Sequence, residues 1–228
     1  IAAALAGALA AERGGTDLGT AEVMLGIAES LAAMGCFDAD DLRRRDLTAP
    51  PLSPAALLAR VLLFGLATPF DRPRLRSDAY RYAAATGADE GTAVACVGAA
   101  LVAADLLRFD PSMTAIRVRQ SLLEDAPMAL LNCLVILERD PAPRESASDD
   151  PGAVLQQALS VQEWVGADGV SSVLAALGDD GRHAVGTLAA AFAGARTGRC
   201  DVPIDDAVAE RMARAAGSLA ALGAGASA

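Results

Sequence analysis

An all-α protein is predicted from three observations. Hydrophobic residues make up 53% of the 228-residue chain and aromatic residues only 4%, so its core is built from Ala, Leu and Val, and Ala-rich faces let helices approach closely. Apolar residues recur at helical spacing through successive segments bounded by caps, glycines and prolines. No run alternates with the period of a strand for long enough to argue a sheet. A chain of this length can be organised round one core, and 1–228 reads as a single helical domain.

The first helix covers about Ile1 to Glu12 and stops at Gly14-Gly15. The next opens at Thr20, whose hydroxyl is expected to cap the exposed amides, and runs to Met34 with Gly35 behind it. A short helix from Asp38 to Arg45 carries acids first and three arginines last, as the helix dipole prefers. Pro50-Pro51 breaks the chain, and Ser53-Pro54 starts a helix whose apolar run Ala55 to Leu66 is expected to be buried. A loop rich in Pro and Arg is expected over Thr68 to Arg76, then a helix from Ser77 or Asp78 to Ala85. The turn Thr86-Gly87-Ala88-Asp89 leads into the long apolar helix Glu90 to Leu107. Asp110-Pro111 and Ala126-Pro127 open two more, the second ending near Arg139. With three prolines, two serines and several acids, 140–152 reads as a flexible surface loop. Further helices are expected at about Ala153 to Trp164, Asp168 to Leu177, Arg182 to Thr197 and Pro203 to Leu222, and the tail from Gly223 is expected to fray.

The 19 basic residues are all Arg, against 29 acids, for a net charge of −10. A surface of that sign repels phosphate backbones and argues against nucleic acid as a partner. The uncharged runs Ala93 to Ala104, Ala126 to Leu137 and Ala184 to Ala195 are each shorter than the roughly 20 residues a spanning helix needs. No membrane partner is therefore expected, and the opening Ile1-Ala-Ala-Ala-Leu-Ala-Gly reads as a structural helix rather than a signal core. Cys36, Cys96, Cys133 and Cys200 lie far apart without metal-ligand spacing and read as buried thiols of a cytoplasmic protein.

Several segments, in order, resemble the ADP-ribosylglycohydrolase family. Glu22 to Arg45, with Ala28-Glu29-Ser30-Leu31 and Gly35-Cys-Phe-Asp-Ala-Asp-Asp-Leu42, is similar to the family's second helix and the segment just after it. Pro54 to Leu66 is similar to the helix with an Asn-Gly and a Met-Arg pair, Arg60 standing at the arginine and Gly65 at a later glycine. Ala79 to Arg108 resembles the Thr-His turn and its Ala-rich helix, with Thr86 in place, and Pro127 to Leu137 resembles a further helix. Ala191-Phe-Ala-Gly-Ala-Arg-Thr-Gly198 with Val202-Pro203 resembles the segment after the second metal motif. The resemblance implies an all-α orthogonal multi-helix bundle and Mg2+- or Mn2+-dependent removal of ADP-ribose.

The chain departs from the family at the chemistry. Where the family has Thr-Asp-Asp-Thr, this chain has Leu18-Gly19-Thr20-Ala21, with Asp17 one position away as the remaining carboxylate. The family's Gly-Gly-Asp-Thr-Asp-Thr falls on Asp179-Asp180-Gly181-Arg182-His183-Ala184, so its two aspartates become Gly181 and His183. The Asn of the Asn-Gly pair is Ala55, and the turn histidine is Gly87. A hard divalent ion wants several oxygen ligands, so no metal cofactor is expected.

The first candidate for a site is His183, the only histidine, whose unperturbed pKa suits acid–base work, with Asp179 and Asp180 either as its partners or as helix caps. Arg182 either binds an anion with the helix amides or is solvated. Arg60, in an apolar helix, needs an ion-pair partner or a bound anion. Thr20 and Glu22 sit at a helix start, where capping and the helix dipole also explain them, and Trp164 either stacks on a ligand or packs in the core or a lid. Two functions are expected from these residues. One is a divergent relative without the dinuclear metal site that binds a small molecule or partner, or has lost activity altogether. The other is a repurposed enzyme using His183 with Asp179 or Asp180 for metal-independent acid–base chemistry on a small substrate.

Overall fold

The computed structural model describes residues 1–12, 19–51, 53–139, 149–165 and 168–225; the side chains of 179–184 and 222–225 fall outside that description. All regular structure among the described residues is helical. The helices are α1 (Ala2–Glu12), α2 (Thr20–Met34), α3 (Ala39–Arg44), α4 (Pro54–Ala67), α5 (Arg72–Ala85), α6 (Glu90–Arg108), α7 (Thr114–Leu122, after a 3-10 turn Pro111–Met113), α8 (Met128–Arg139), α9 (Pro151–Val165), α10 (Val170–Thr197) and α11 (Asp206–Gly225).

Aspartate caps recur along the chain. Asp38, Asp71, Asp89, Asp110 and Asp205 each accept backbone N–H bonds at the start of the helix or 3-10 turn beyond them, and Ser53 does the same for α4. Each satisfies amides that have no partner within the helix and places its oxygen at the positive end of the dipole. Asp71 explains why α5 begins before the predicted Ser77 or Asp78: its carboxylate caps Arg74 N–H, and Pro73 occupies a first-turn position where its missing N–H is not needed. Asp150 similarly caps Ala153 N–H, so α9 takes in Pro151 and Gly152, which the predicted loop had claimed; 140–148 lie outside the described residues. The two helices expected over 168–197 are joined as α10, where only Gly178 (φ 61°, ψ −173°) leaves helical geometry. The last helix begins at Asp206 rather than Pro203 and reaches Gly225.

Two groups of helices meet at α4, in which every residue from Ala55 to Ala67 is buried. Helix α4 lies against α6, which in turn holds α5, and against α10, which carries α1 and α9; α6 also packs on α9 and α10. Glu90–Arg108 exceeds the uncharged run inside it and is long and apolar enough to cross a membrane by composition, with 78% of its apolar window buried inside the bundle. The contact surfaces are made of small residues. A Cβ on Gly194 would lie 2.0 Å from Ala3 O, one on Gly7 2.2 Å from Ala190 O, and one on Gly65 1.9 Å from Ala100 O. The first two pairs run in opposite senses, so α1 and α10 cross antiparallel with their backbones in contact.

Of the four thiols only Cys96 is fully buried; Cys36, just past the end of α2, is exposed, and Cys133 and Cys200 are half-buried. Trp164 is 67% exposed and does not join the core.

Gly194→Ala should destabilise the protein by about 3 kcal/mol, because the methyl group must push two backbones apart. Gly217→Ala, on an open face of α11, should stabilise it by up to about 1 kcal/mol through helix propensity. Paired urea titrations of the two variants check both signs.

Candidate functional site

Helix α2 starts without the expected hydroxyl cap. Gly19, at φ 96°, occupies the cap position and Thr20 is the first helical residue, buried, with no side-chain cap bond from the cap residue. The free amide of Ala21 donates instead to the carboxylate of Glu12, a buried side chain at the end of α1. A carboxylate from a neighbouring helix thus does the work expected of Thr20, and the dipole favours it there. Asp17 lies outside the described residues.

Glu22 projects from the first turn of α2 and is held by Arg211 of α11 at 2.5 Å. The same guanidinium takes Glu29, two helical turns further along, with two bonds of 2.6 and 3.0 Å. Arg211 therefore clamps α11 along α2, and its bonds hold the Glu29 carboxyl below the usual carboxylate range. Such a half-exposed network contributes about 1 kcal/mol or less per pair.

Arg60 is 7% exposed, and of the two partners expected for it, an ion pair or a bound anion, no ion pair is present among the described residues. One of its terminal nitrogens donates to Ala49 O at 2.8 Å, while Nε has no hydrogen-bond partner. Its neighbour is Tyr82 of α5, fully buried, whose hydroxyl donates to Leu47 O at 2.8 Å. Burial pushes the Tyr82 phenol up to about 12, with the Arg60 guanidinium offsetting part of the effect. The loop after α3 shapes this arrangement: Asp46 takes the left-handed conformation (φ 57°), and Leu47 and Ala49 then present their carbonyls to α5 and α4.

The described candidate residues therefore lie in two places. Thr20 and Glu22 share the first turn of α2, where Glu12 and Arg211 approach, and Arg60 lies with Tyr82. His183, Asp179, Asp180 and Arg182 belong to the helical arm beyond the break at Gly178, and their side chains lie outside the described set.

Among the described residues, no group of three or more His, Cys, Asp and Glu is placed to hold a metal ion. The described carboxylates at the α2 end do not fit a hard divalent ion: Glu12 is bound to an amide, and Glu22 and Glu29 to one guanidinium.

A concavity that sequence reasoning missed lies between α5, α6 and the end of α7. It encloses about 500 Å³. Arg76, Tyr80 and Arg81 line it from α5; Glu90, Val94 and Val97 from one face of α6; and Leu122, Glu124 and Asp125 from the end of α7 and the turn beyond. Val94, Val97 and Leu122 form a buried apolar floor, and Tyr80 is 40% exposed beside it. The signals in the sequence are the spacings 76/80 and 90/94/97, each placing residues on one helix face. Neither a protein-family model nor a curated protein sequence matches the chain.

The Tyr82 environment makes stability pH-dependent on the alkaline side. A phenol whose folded pKa lies above its unfolded value of about 10 supplies stability that is whole below pH ~10 and lost as pH rises toward 12, roughly 2 to 3 kcal/mol in all. The chain has no lysine to titrate in the same window. The thiols of Cys96, Cys133 and Cys200, which burial also pushes up, lose stability in the same direction. Urea unfolding at pH 9 and pH 11.5 should therefore show a combined fall, and Tyr82→Phe should remove only the phenol's share of it.

Proposed function

We propose that this chain is a ligand-binding helical protein of the ADP-ribosylglycohydrolase-like build that does not hydrolyse ADP-ribosyl bonds, and that its small-molecule ligand sits in the groove of α5, α6 and α7. The observation that carries the reading is that groove, whose volume of about 500 Å³, apolar floor and polar rim suit a small organic ligand. Its separation from metal hydrolysis is supported by the sequence, where Gly181 and His183 replace two expected aspartates and Leu18-Gly19-Thr20-Ala21 replaces a motif with two more.

A second reading has one observation in its favour. The break at Gly178 starts a helical arm with Asp179, Asp180 and His183 in its first turns, which brings the ionisable residues of the sequence motif close together along the backbone. In that reading the chain is an enzyme, and its turnover depends on His183.

Thermal melts with Mg2+ or Mn2+, alone and with ADP-ribose, test the first reading, since selective binding to the native state raises the melting temperature. No rise with metal and no ADP-ribose released from a modified substrate are the expected results; Mg2+-dependent release overturns the reading. Val97→Trp, which fills the floor of the groove, should abolish the stabilisation given by any small molecule that raises the wild-type melting temperature, whereas His183→Ala should leave it unchanged. The reverse pattern moves the site to α10 and favours the enzyme.

A further inference from the structure

The charges around the groove of α5, α6 and α7 are unequally committed. Arg76 is paired with the Asp125 carboxylate and donates a second bond to Ser121 O at 2.5 Å. Arg81 lies over the Phe37 ring, 4.7 Å from its centroid. Both guanidiniums on the rim thus have partners in the fold, and Asp125 is neutralised. Glu90 and Glu124 are different: both are exposed, and neither has a hydrogen bond or ion pair among the described residues. Helix α7 ends at Leu122, so the partial negative charge of its carbonyl end lies next to Glu124.

An anion entering here would meet two carboxylates without ion pairs, and the one guanidinium outside the Arg76–Asp125 pair is Arg81, which keeps its charge over Phe37, so Glu90 and Glu124 leave the rim with one net negative charge. A cation meets the opposite situation. The field of a chain with a net charge of −10 draws it in, Glu90 and Glu124 stand without counter-ions, and the Tyr80 ring offers an electron-rich face. The exposed edge of Val94 and Val97, beside the open Tyr80 ring, takes the apolar part of such a ligand, and the fully buried Leu122 backs it from beneath.

Building on the reading of the groove as the ligand site, we propose that its ligand is an organic cation: an ammonium or guanidinium group held at Glu90 and Glu124 on an aliphatic or aromatic body that packs on Val94, Val97 and Tyr80. The test monitors backbone amide NMR shifts while the full chain is titrated with benzyltrimethylammonium, benzyl alcohol and benzenesulfonate. The ammonium should shift the Tyr80, Val94 and Val97 amides and bind most tightly of the three. The double variant Glu90→Gln, Glu124→Gln should weaken it about tenfold while leaving benzyl alcohol unaffected. On wild type, raising NaCl to about 0.5 M should weaken the ammonium selectively through screening. If benzyl alcohol or benzenesulfonate shifts the same amides at equal or lower concentration, or if the ammonium is insensitive to both the double substitution and salt, the cation falls and the groove stands as a ligand site. If none of the three shifts these amides, both fall.

Discussion

Backbone contact between helices is the constraint on which the rest of this structure depends. With aromatic residues at 4% of the chain, few side chains are large enough to fill space between well-separated helices. The helices close that space themselves. Gly7 and Gly194 bring α1 and α10 together at two points four residues apart on each, and Gly65 seats α4 on the carbonyl of Ala100. Alanines around these points keep the approach close over the whole crossing, so dispersion is gained along the backbones as well as between side chains. Such surfaces tolerate little added volume, because the atom in the way is a carbonyl that belongs to a helical hydrogen bond and cannot rotate aside.

Arg60 is the exception inside this framework, and its surroundings are built to accommodate it. A guanidinium in a fully buried helix is always charged and needs acceptors. The chain supplies backbone rather than carboxylate: the left-handed turn at Asp46 directs the next residues so that Leu47 O takes the Tyr82 hydroxyl and Ala49 O takes Arg60. The loop is thereby tied to α5 and α4 at once. It is also packed from below, since Leu47 fills the space that a side chain at Gly26 would occupy on α2. One short segment thus links three helices, and the hydrogen bonds that hold it are the ones the buried polar groups require.

Local patterns in the sequence were enough to reveal the helices, because apolar spacing and aspartate or serine caps act over a few residues. Where the reading missed, longer-range or ambiguous chemistry decided. Pro73 reads as a loop residue until Asp71 is recognised as a cap that places it in a first turn. Thr20 reads as a cap, yet the amide it was expected to serve is taken by Glu12, from another helix. Glu22 reads as a dipole residue, and its guanidinium partner lies 189 positions further along the chain. The groove was hidden for the same reason: its residues are ordinary on each helix, and only the packing of α5, α6 and the end of α7 makes them one surface.

The segments whose sequence resembles ADP-ribosylglycohydrolases consist mainly of residues that pack rather than react, and no family model matches the chain. The most specific of these segments, Ala191 to Gly198, contains Gly194, which lies on the backbone of α1, and the similar helix at Pro54 to Leu66 contains Gly65, which lies on α6. Small residues at such points are demanded by the crossing of two helices whatever the protein does. Residues that act on a substrate are under a separate demand, which the crossing of helices does not make. A likeness concentrated at helix crossings therefore speaks for the way helices meet, and it is silent on hydrolysis. Function has to be argued from surfaces where packing does not explain the residues, and Glu90, Glu124 and the open face of Tyr80 form such a surface.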